Sequence, residues 1–176
     1  MKCIYHTFFA VAFFAQPTFA QEAKPPRAKN YFSIRLAMVA PLGAFDDFYK
    51  GAIGIEGIMH LKWLDLHGGE VQIVSGFERF NPKKGNIFGN ITILPLKMGI
   101  MKMVSKEFFF YGRAGIVGIK DQKSSYAVRF STDVGFGYGF KKIAADVGFH
   151  GWVKQAGGGY SNYFSAGIMF PFHRSY

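Results

Sequence analysis

The residues with the clearest potential for chemistry are a histidine and two serines in the C-terminal part of the chain. His150 lies in a predicted strand, Ser161 ends the following loop, and Ser165 lies in the next predicted strand. A serine becomes a nucleophile when a base stands beside it, and neighbouring strands lie ~4.8 Å apart. His150 could therefore approach either serine, as a hydrolase requires. The alternative, which we prefer, is a histidine packed inside the fold, so we assign no catalytic residue. The remaining histidines lack metal-ligand spacing, and no metal or cofactor is expected.

A second set of candidate residues is charged and recurs at alternate positions of predicted strands. These residues are Arg35, Glu56, Glu70, Lys97, Arg113, Arg129, Asp133 and Asp146. Successive side chains of a strand point to opposite faces, so these charges share one face with glycine, serine and alanine. Four are basic and four are acidic, and unpaired charges in a narrow interior would be costly. We predict a cross-linked network that plugs the interior. A gated path for small solutes is the alternative.

The elements that position these residues are predicted as eight strands, from alternating polar and apolar residues. The predicted strands cover 31–40, 51–60, 68–77, 87–102, 107–120, 125–140, 143–153 and 162–172. The alternation slips by one residue at Pro95, which predicts a bulge because proline cannot donate to a ladder. Alternate glycines such as Gly135 and Gly137 would make room for larger side chains opposite. The longer connections, 41–50, 78–86, 120–125 and 154–161, are expected at one end, with the termini and short turns at the other.

One face of each predicted strand is apolar, which fits two kinds of barrel. A soluble lipid-binding barrel would place that face inside, whereas a membrane barrel places it against lipid. Aromatic residues near strand ends favour the membrane, where they form an interfacial girdle. The girdle residues are Tyr31, Phe32, Phe108, Phe110, Tyr138, Phe140, Phe170 and Phe172. We therefore predict an all-β fold, an eight-stranded antiparallel up-and-down transmembrane β-barrel, closed because only closed barrels and helices satisfy the backbone in lipid.

Composition and the N-terminal region are consistent with an exported protein. Residues 1–20 have a lysine, a short apolar run and a small-residue ending, the pattern of a removable signal peptide. Residues 21–30 read as a periplasmic tether, 31–172 as the barrel and 173–176 as a tail. The only cysteine, Cys3, lies in the signal, so no disulfide is expected. The formal charge of +10 is scattered over turns, which argues against nucleic acid. Solvated turn ends are the preferred interpretation, and attraction to anionic lipid headgroups or lipopolysaccharide phosphates is the alternative.

Four short stretches carry a resemblance to a known family. They are 93–99 (ILPLKMG), 110–115 (FYGRAG), 133–138 (DVGFGY) and 165–170 (SAGIMF). In this order the stretches resemble the small outer-membrane β-barrel family common in Bacteroidetes, which is related in architecture to the OmpA and OmpX barrels. The resemblance covers about half the chain and implies an eight-stranded barrel inserted by the barrel assembly machinery. It implies no particular biochemical activity.

The predicted function is an outer-membrane barrel with a structural or surface-interaction role and a plugged polar interior. We expect a monomer in the bacterial outer membrane whose partners are outer-membrane lipid, lipopolysaccharide and the barrel assembly machinery. One alternative is a lipid A-modifying enzyme. Residues 159–162 are similar to the His-x-Ser-Asn motif of the lipid A deacylases, but Gly159 replaces the histidine. The other alternative is a soluble periplasmic lipid-binding barrel.

Overall fold

The alternating sequence forms eight antiparallel strands in a computed structural model, which describes residues 30–62, 69–85, 89–121, 126–140, 142–153 and 160–172. The strands are β1 (Tyr31–Leu42), β2 (Tyr49–Leu61), β3 (Gly69–Pro82), β4 (Ile91–Met103), β5 (Phe108–Asp121), β6 (Ala127–Phe140), β7 (Ile143–Val153) and β8 (Tyr160–Phe172). Each strand pairs with the next, and β8 pairs with β1 to close the barrel. The predicted fold class is confirmed. The predicted signal peptide, nearly all of the tether and the tail lie outside the described residues.

The connections differ between the two ends of the barrel. Phe32 of β1 pairs with Phe172 of β8, so β1 begins and β8 ends at the same end of the barrel, here called the terminus end. The connections after β2, β4 and β6 lie at that end, and those after β1, β3, β5 and β7 lie at the opposite, loop end. The connections lie at the predicted ends. Their lengths fit the prediction less well, because the connection after β2 (62–68) is longer than the one after β1 (43–48). Among the described residues, no helix is long and apolar enough to cross a membrane.

Two predicted loops at the loop end are shorter than expected. The predicted loop 41–50 is largely occupied by the ends of β1 and β2 and by a short helix, α1 (Ala44–Phe48). The predicted loop 78–86 loses its first five positions to β3, which continues to Pro82. Longer strands extend the barrel wall and carry additional side chains into the interior. One of them, Glu78, becomes part of the site described below.

The predicted bulge at Pro95 is wrong. Ile91 and Ile93 point into the barrel with Pro95 and Lys97, so the alternation along β4 is continuous. Pairing with β3 keeps one register on both sides of the proline, with Ser75 opposite Leu96 and Glu78 opposite Ile93. The apparent slip arises because the interior is apolar at the loop end and polar further along. The irregularity in pairing lies instead in β2, between Tyr49 and Ala52.

The outer face of the barrel is apolar. Large hydrophobic side chains are exposed on every strand, as with Met38 on β1 (76% exposed) and Ile53 on β2 (70% exposed). The interior holds the charged residues, including Arg35 and Asp133, which are almost completely buried. This distribution is the inverse of a soluble lipid-binding barrel, whose interior would be an apolar cavity. The structure therefore disagrees with that alternative.

Candidate functional site

The interior of the barrel is the candidate site, and Arg35 on β1 is the centre of its first cluster. Its Nε and Nη2 atoms donate to the Asp146 carboxylate at 2.5–2.9 Å. Nη1 donates to Glu56 at 3.1 Å, and Nη2 also donates to the Ser165 hydroxyl at 2.8 Å. The guanidinium thus binds a carboxylate in the two-pronged geometry that suits it best. Strands β1, β2, β7 and β8 are cross-linked by one side chain.

Glycine on the inner face makes this cluster possible. Gly167 lies on β8 between Ala37 of β1 and Asp146 of β7. A Cβ atom at Gly167 would lie 2.7 Å from the Arg35 Nε atom. Gly135 likewise accommodates the Tyr111 ring, which a larger residue would displace. The expectation that inward glycines make room for larger side chains is confirmed at both positions.

Asp133 on β6 is the centre of the second cluster. Register places it opposite Arg113 of β5 and His150 of β7. Lys97 of β4 forms an ion pair with its Oδ1 atom. The His150 Nδ1 atom is 3.6 Å from Oδ1, and the Arg113 Nη1 atom is 3.9 Å from Oδ2. Arg113 also donates from Nε to Gln72 at 2.9 Å, which extends the cross-links to β3.

A third cluster lies at the terminus end. The Tyr31 hydroxyl donates to Glu70 at 2.8 Å, and the same carboxylate oxygen lies 2.5 Å from the His60 Nδ1 atom. The His60 Nε2 atom is 3.0 Å from the Ser33 hydroxyl. The Tyr31 ring stacks on His60 with centroids 4.0 Å apart, and the Lys62 Nζ atom lies 5.0 Å from the centroid of the Tyr31 ring and 3.8 Å from Glu70. A cavity of about 360 Å³, lined in part by Tyr31 and Ser33, lies beside these polar contacts at the terminus end.

Seven of the eight charged residues predicted for the interior are buried there, and one lies elsewhere. Arg129 is half-exposed near the loop end of β6 and donates to the Val128 carbonyl at 2.8 Å. Glu78 is absent from the predicted interior set, because the third predicted strand ends at Phe77. Among the described residues the buried acids are therefore Glu56, Glu70, Glu78, Asp133 and Asp146, against the buried arginine and lysine residues Arg35, Lys97 and Arg113. The predicted equal numbers of acidic and basic residues are therefore not found, and the buried acids outnumber the buried arginine and lysine residues. Glu70 and Asp133 each have a histidine beside them.

Two Ser–His–acid chains occur in this interior, and the first contains one of the two serines that His150 was expected to approach. His150 lies 2.7 Å from Ser165, with Asp133 behind it. Ser33, His60 and Glu70 form the second chain. Such chains activate serine in hydrolases, but attack requires room for an acyl group at the hydroxyl. Ser33 has no exposed surface and Ser165 has 3%. In this structure both hydroxyls are therefore buried, and an acyl group would reach either one only if neighbouring side chains moved.

An apolar plug fills the interior at the loop end. Phe45 of α1 turns inward, and its ring lies 5.0 Å, centroid to centroid, from each of Tyr49, Phe80 and Trp152. Tyr163 continues the layer, stacking on His150 at 4.7 Å and meeting Phe80 edge-on at 5.7 Å. The remaining members of the cluster, from the wall, are Ala37, Val39, Ala52, Ile91, Ile93 and Val117. Sequence alternation could not reveal this layer, because it assigns apolar residues to the lipid face.

The predicted girdle residues divide between the two faces. Six phenylalanines are exposed on the outside: Phe32, Phe108, Phe110, Phe140, Phe170 and Phe172. Tyr138 is half-buried between Phe108 and Phe140, with ring centroids 4.9 and 4.7 Å away. Tyr31 points inward, because it is adjacent to the outward Phe32 and successive side chains alternate. These seven outward residues all lie toward the terminus end, where they form one band around the outside of the barrel.

The fold and the filled interior define a small eight-stranded barrel of the architecture found among outer membrane proteins. The chain is similar in structure to Ail, an outer membrane protein of Yersinia pestis determined in a phospholipid bilayer nanodisc (TM-score 0.59, 13% identity, 82% of this chain and 100% of Ail covered). It is also similar to the N-terminal β-barrel domain of Pseudomonas aeruginosa OprF (TM-score 0.52, 12% identity, 81% and 97% covered). No protein-family model and no curated protein matches the sequence.

Proposed function

We propose that this protein is an integral outer-membrane barrel with a closed interior and a structural or surface-interaction role. The observation that carries the proposal is the inverted distribution of side chains, with hydrophobic residues outside and a charged network inside. An apolar exterior of this extent would be unfavourable in water, but it matches the hydrocarbon of a bilayer. Strands of 11–14 residues are long enough to cross at a tilt.

The proposal includes the route and the surroundings of the protein. Residues 1–20 direct export, the barrel assembly machinery inserts the chain, and the protein is a monomer in the bacterial outer membrane in contact with lipopolysaccharide. The terminus end faces the periplasm and the loop end faces outward, which is the orientation of even-stranded barrels with short periplasmic turns. Membership of the Bacteroidetes-type small barrels is the finer part of this proposal and is supported by the resemblance at 93–99, 110–115, 133–138 and 165–170.

The interior in this proposal stabilises the barrel and carries neither catalysis nor solute flow. Eight strands enclose a space just wide enough for side chains to fill. The apolar plug occupies the loop end, and the polar clusters around Arg35 and Asp133 occupy the middle. Any binding to surfaces or solutes would then depend on the exterior and the outer connections.

Gel mobility of the membrane-extracted protein tests the location and closure together. Closed barrels keep their folded shape in SDS until heated, because unfolding exposes the whole backbone at once. We expect the protein in the outer-membrane fraction, with a mobility shift on boiling, and no channel steps when it is reconstituted in a planar bilayer. A soluble protein without a shift would overturn the membrane assignment. A shift together with steady conductance would overturn the closed interior.

A further inference from the structure

The charged residues on the outer face of the barrel have one sign. Within the described strands, the charged side chains that point outward are Lys50, Arg79, Lys102 and Lys120. Acidic residues of the same strands lie inside, apart from the half-buried Asp121 at the end of β5. If these charges served only to keep the surface soluble, both signs would be expected on it. The single sign suggests an anionic ligand at the lipid-facing surface.

Strand register places two of these cations in one row at the loop end. Arg79 of β3 is opposite Thr92 of β4, and Thr92 is opposite Lys120 of β5. Neighbouring strands are ~4.8 Å apart, so the two cations stand about 10 Å apart with a hydroxyl between them. Both cationic side chains are exposed. Lys50 on the neighbouring strand β2 adds a third positive charge at the same end.

An apolar groove lies beside Arg79 on the outer surface. It has a volume of about 1100 Å³ and is lined by residues of β7, β8, β1, β2 and β3. Its floor includes the small residues Ala40 and Ala166, and its walls include Ile53 and Phe77. Arg79 and the neighbouring Asn81 form its polar edge. The groove is thus apolar along its length and cationic at one margin, as a binding site for an acylated anion would be.

We propose that this surface binds lipopolysaccharide through its lipid A moiety. Acyl chains occupy the groove, and phosphate groups contact Arg79 and Lys120, with the Thr92 hydroxyl between them. Guanidinium and phosphate form strong charge-assisted hydrogen bonds, and two separated cations suit a headgroup with more than one phosphate. The site rests on the proposed function, since the loop end must lie in the outer leaflet for this lipid to reach it.

The test measures binding of purified diphosphorylated lipid A to the full chain in detergent micelles, by native mass spectrometry. The R79Q/K120Q variant removes the two cations, and K102Q/K106Q removes two cations at the terminus end as a charge-matched control. We expect R79Q/K120Q to weaken binding by on the order of tenfold and the control to leave it nearly unchanged. A166F, which fills the groove and keeps the cations, should also weaken binding.

Three outcomes would overturn the lipid site. Equal binding of lipid A by all variants would show that Arg79 and Lys120 do not bind its phosphates. Equal losses of affinity in R79Q/K120Q and K102Q/K106Q would show that only the net charge of the protein matters. Equal affinity for phosphatidylglycerol would make the ligand an ordinary phospholipid. Gel mobility on the same samples separates these results from failure of the proposed function. If the gel mobility of the wild-type protein changes on boiling but the protein does not bind lipid A, it is a membrane barrel without this site.

Discussion

The guanidinium of Arg35 on β1 and the carboxylate of Asp146 on β7 form a two-pronged ion pair that passes over Gly167 of the intervening strand β8. Their atoms approach to 2.5–2.9 Å, and both side chains are completely buried. Breaking such a pair leaves a buried charge without its partner. The pair also joins the first strand to the seventh, so it supports closure of the barrel.

Replacing Arg35 by leucine should lower the free energy of unfolding by about 3–5 kcal/mol, the range for removing one partner of a buried pair. Arg35→Lys keeps the charge but loses the planar fork, so it should restore only part of the loss. Urea titration of the refolded protein in lipid vesicles measures both. R79Q, an exterior substitution, should stay within about 0.5 kcal/mol of wild type. An unchanged R35L stability would show that the network contributes little.

Substituting Gly167 by alanine should destabilise the barrel, because the new methyl group would lie 2.7 Å from the Arg35 Nε atom. Overpacking of this kind typically costs about 1–3 kcal/mol. Gly112→Ala is the matched control, since a Cβ there has nothing within 4 Å. The same urea titration should separate the two variants. Equal stabilities would mean that Arg35 readily moves aside and that the close approach is unimportant.

Phe45→Ala should destabilise the loop end without opening a channel. The ring contacts three aromatic neighbours at 5.0 Å, and losing a buried phenylalanine costs about 3 kcal/mol or more. The polar clusters below it still fill the middle of the barrel, so planar-bilayer recordings should show no channel steps. Phe48→Ala on the same helix removes an exposed ring and should cost less. Channel steps in F45A would identify the apolar plug as the only barrier.

Glu78→Gln should leave stability unchanged or raise it, unlike substitutions of the other interior charges. Among the described residues five buried acids face three buried arginine or lysine residues, and the Glu78 Oε2 atom has no hydrogen-bond partner. Removing this charge reduces the excess, which can stabilise by about 1 kcal/mol or more. Asp133→Asn should destabilise the barrel, because it leaves the buried Lys97 ammonium without its ion-pair partner. Chemical unfolding of both variants at pH 7 checks the contrast, and a strongly destabilised E78Q would refute it.

The sequence predicts the wall of this barrel better than its contents. Strand β7 has the predicted bounds, and the alternation around Arg35 and Asp133 identifies the inner face. The alternation pattern assigns apolar residues to the lipid face, so Ile93 is misplaced and nothing in the pattern indicates the plug around Phe45. Glu78 is missed because the apolar alternation fades before the strand ends. Whether His150 contacts Ser165 or Ser161 depends on register across strands, which one sequence does not specify.

Site-specific labelling of the apolar face of the strands shows whether that face contacts lipid. Leu96, Met98 and Ile100 point outward from β4 with 50–60% exposure, and Ser105 lies in the turn beyond the strand. Each is replaced by cysteine in the chain from residue 21 onward, labelled with a polarity-sensitive fluorophore and reconstituted in vesicles of brominated lipid. We expect strong quenching by the brominated acyl chains at 96, 98 and 100, and quenching by aqueous iodide at 105. Iodide quenching of all four labels, with no effect of bromine, would contradict this expectation.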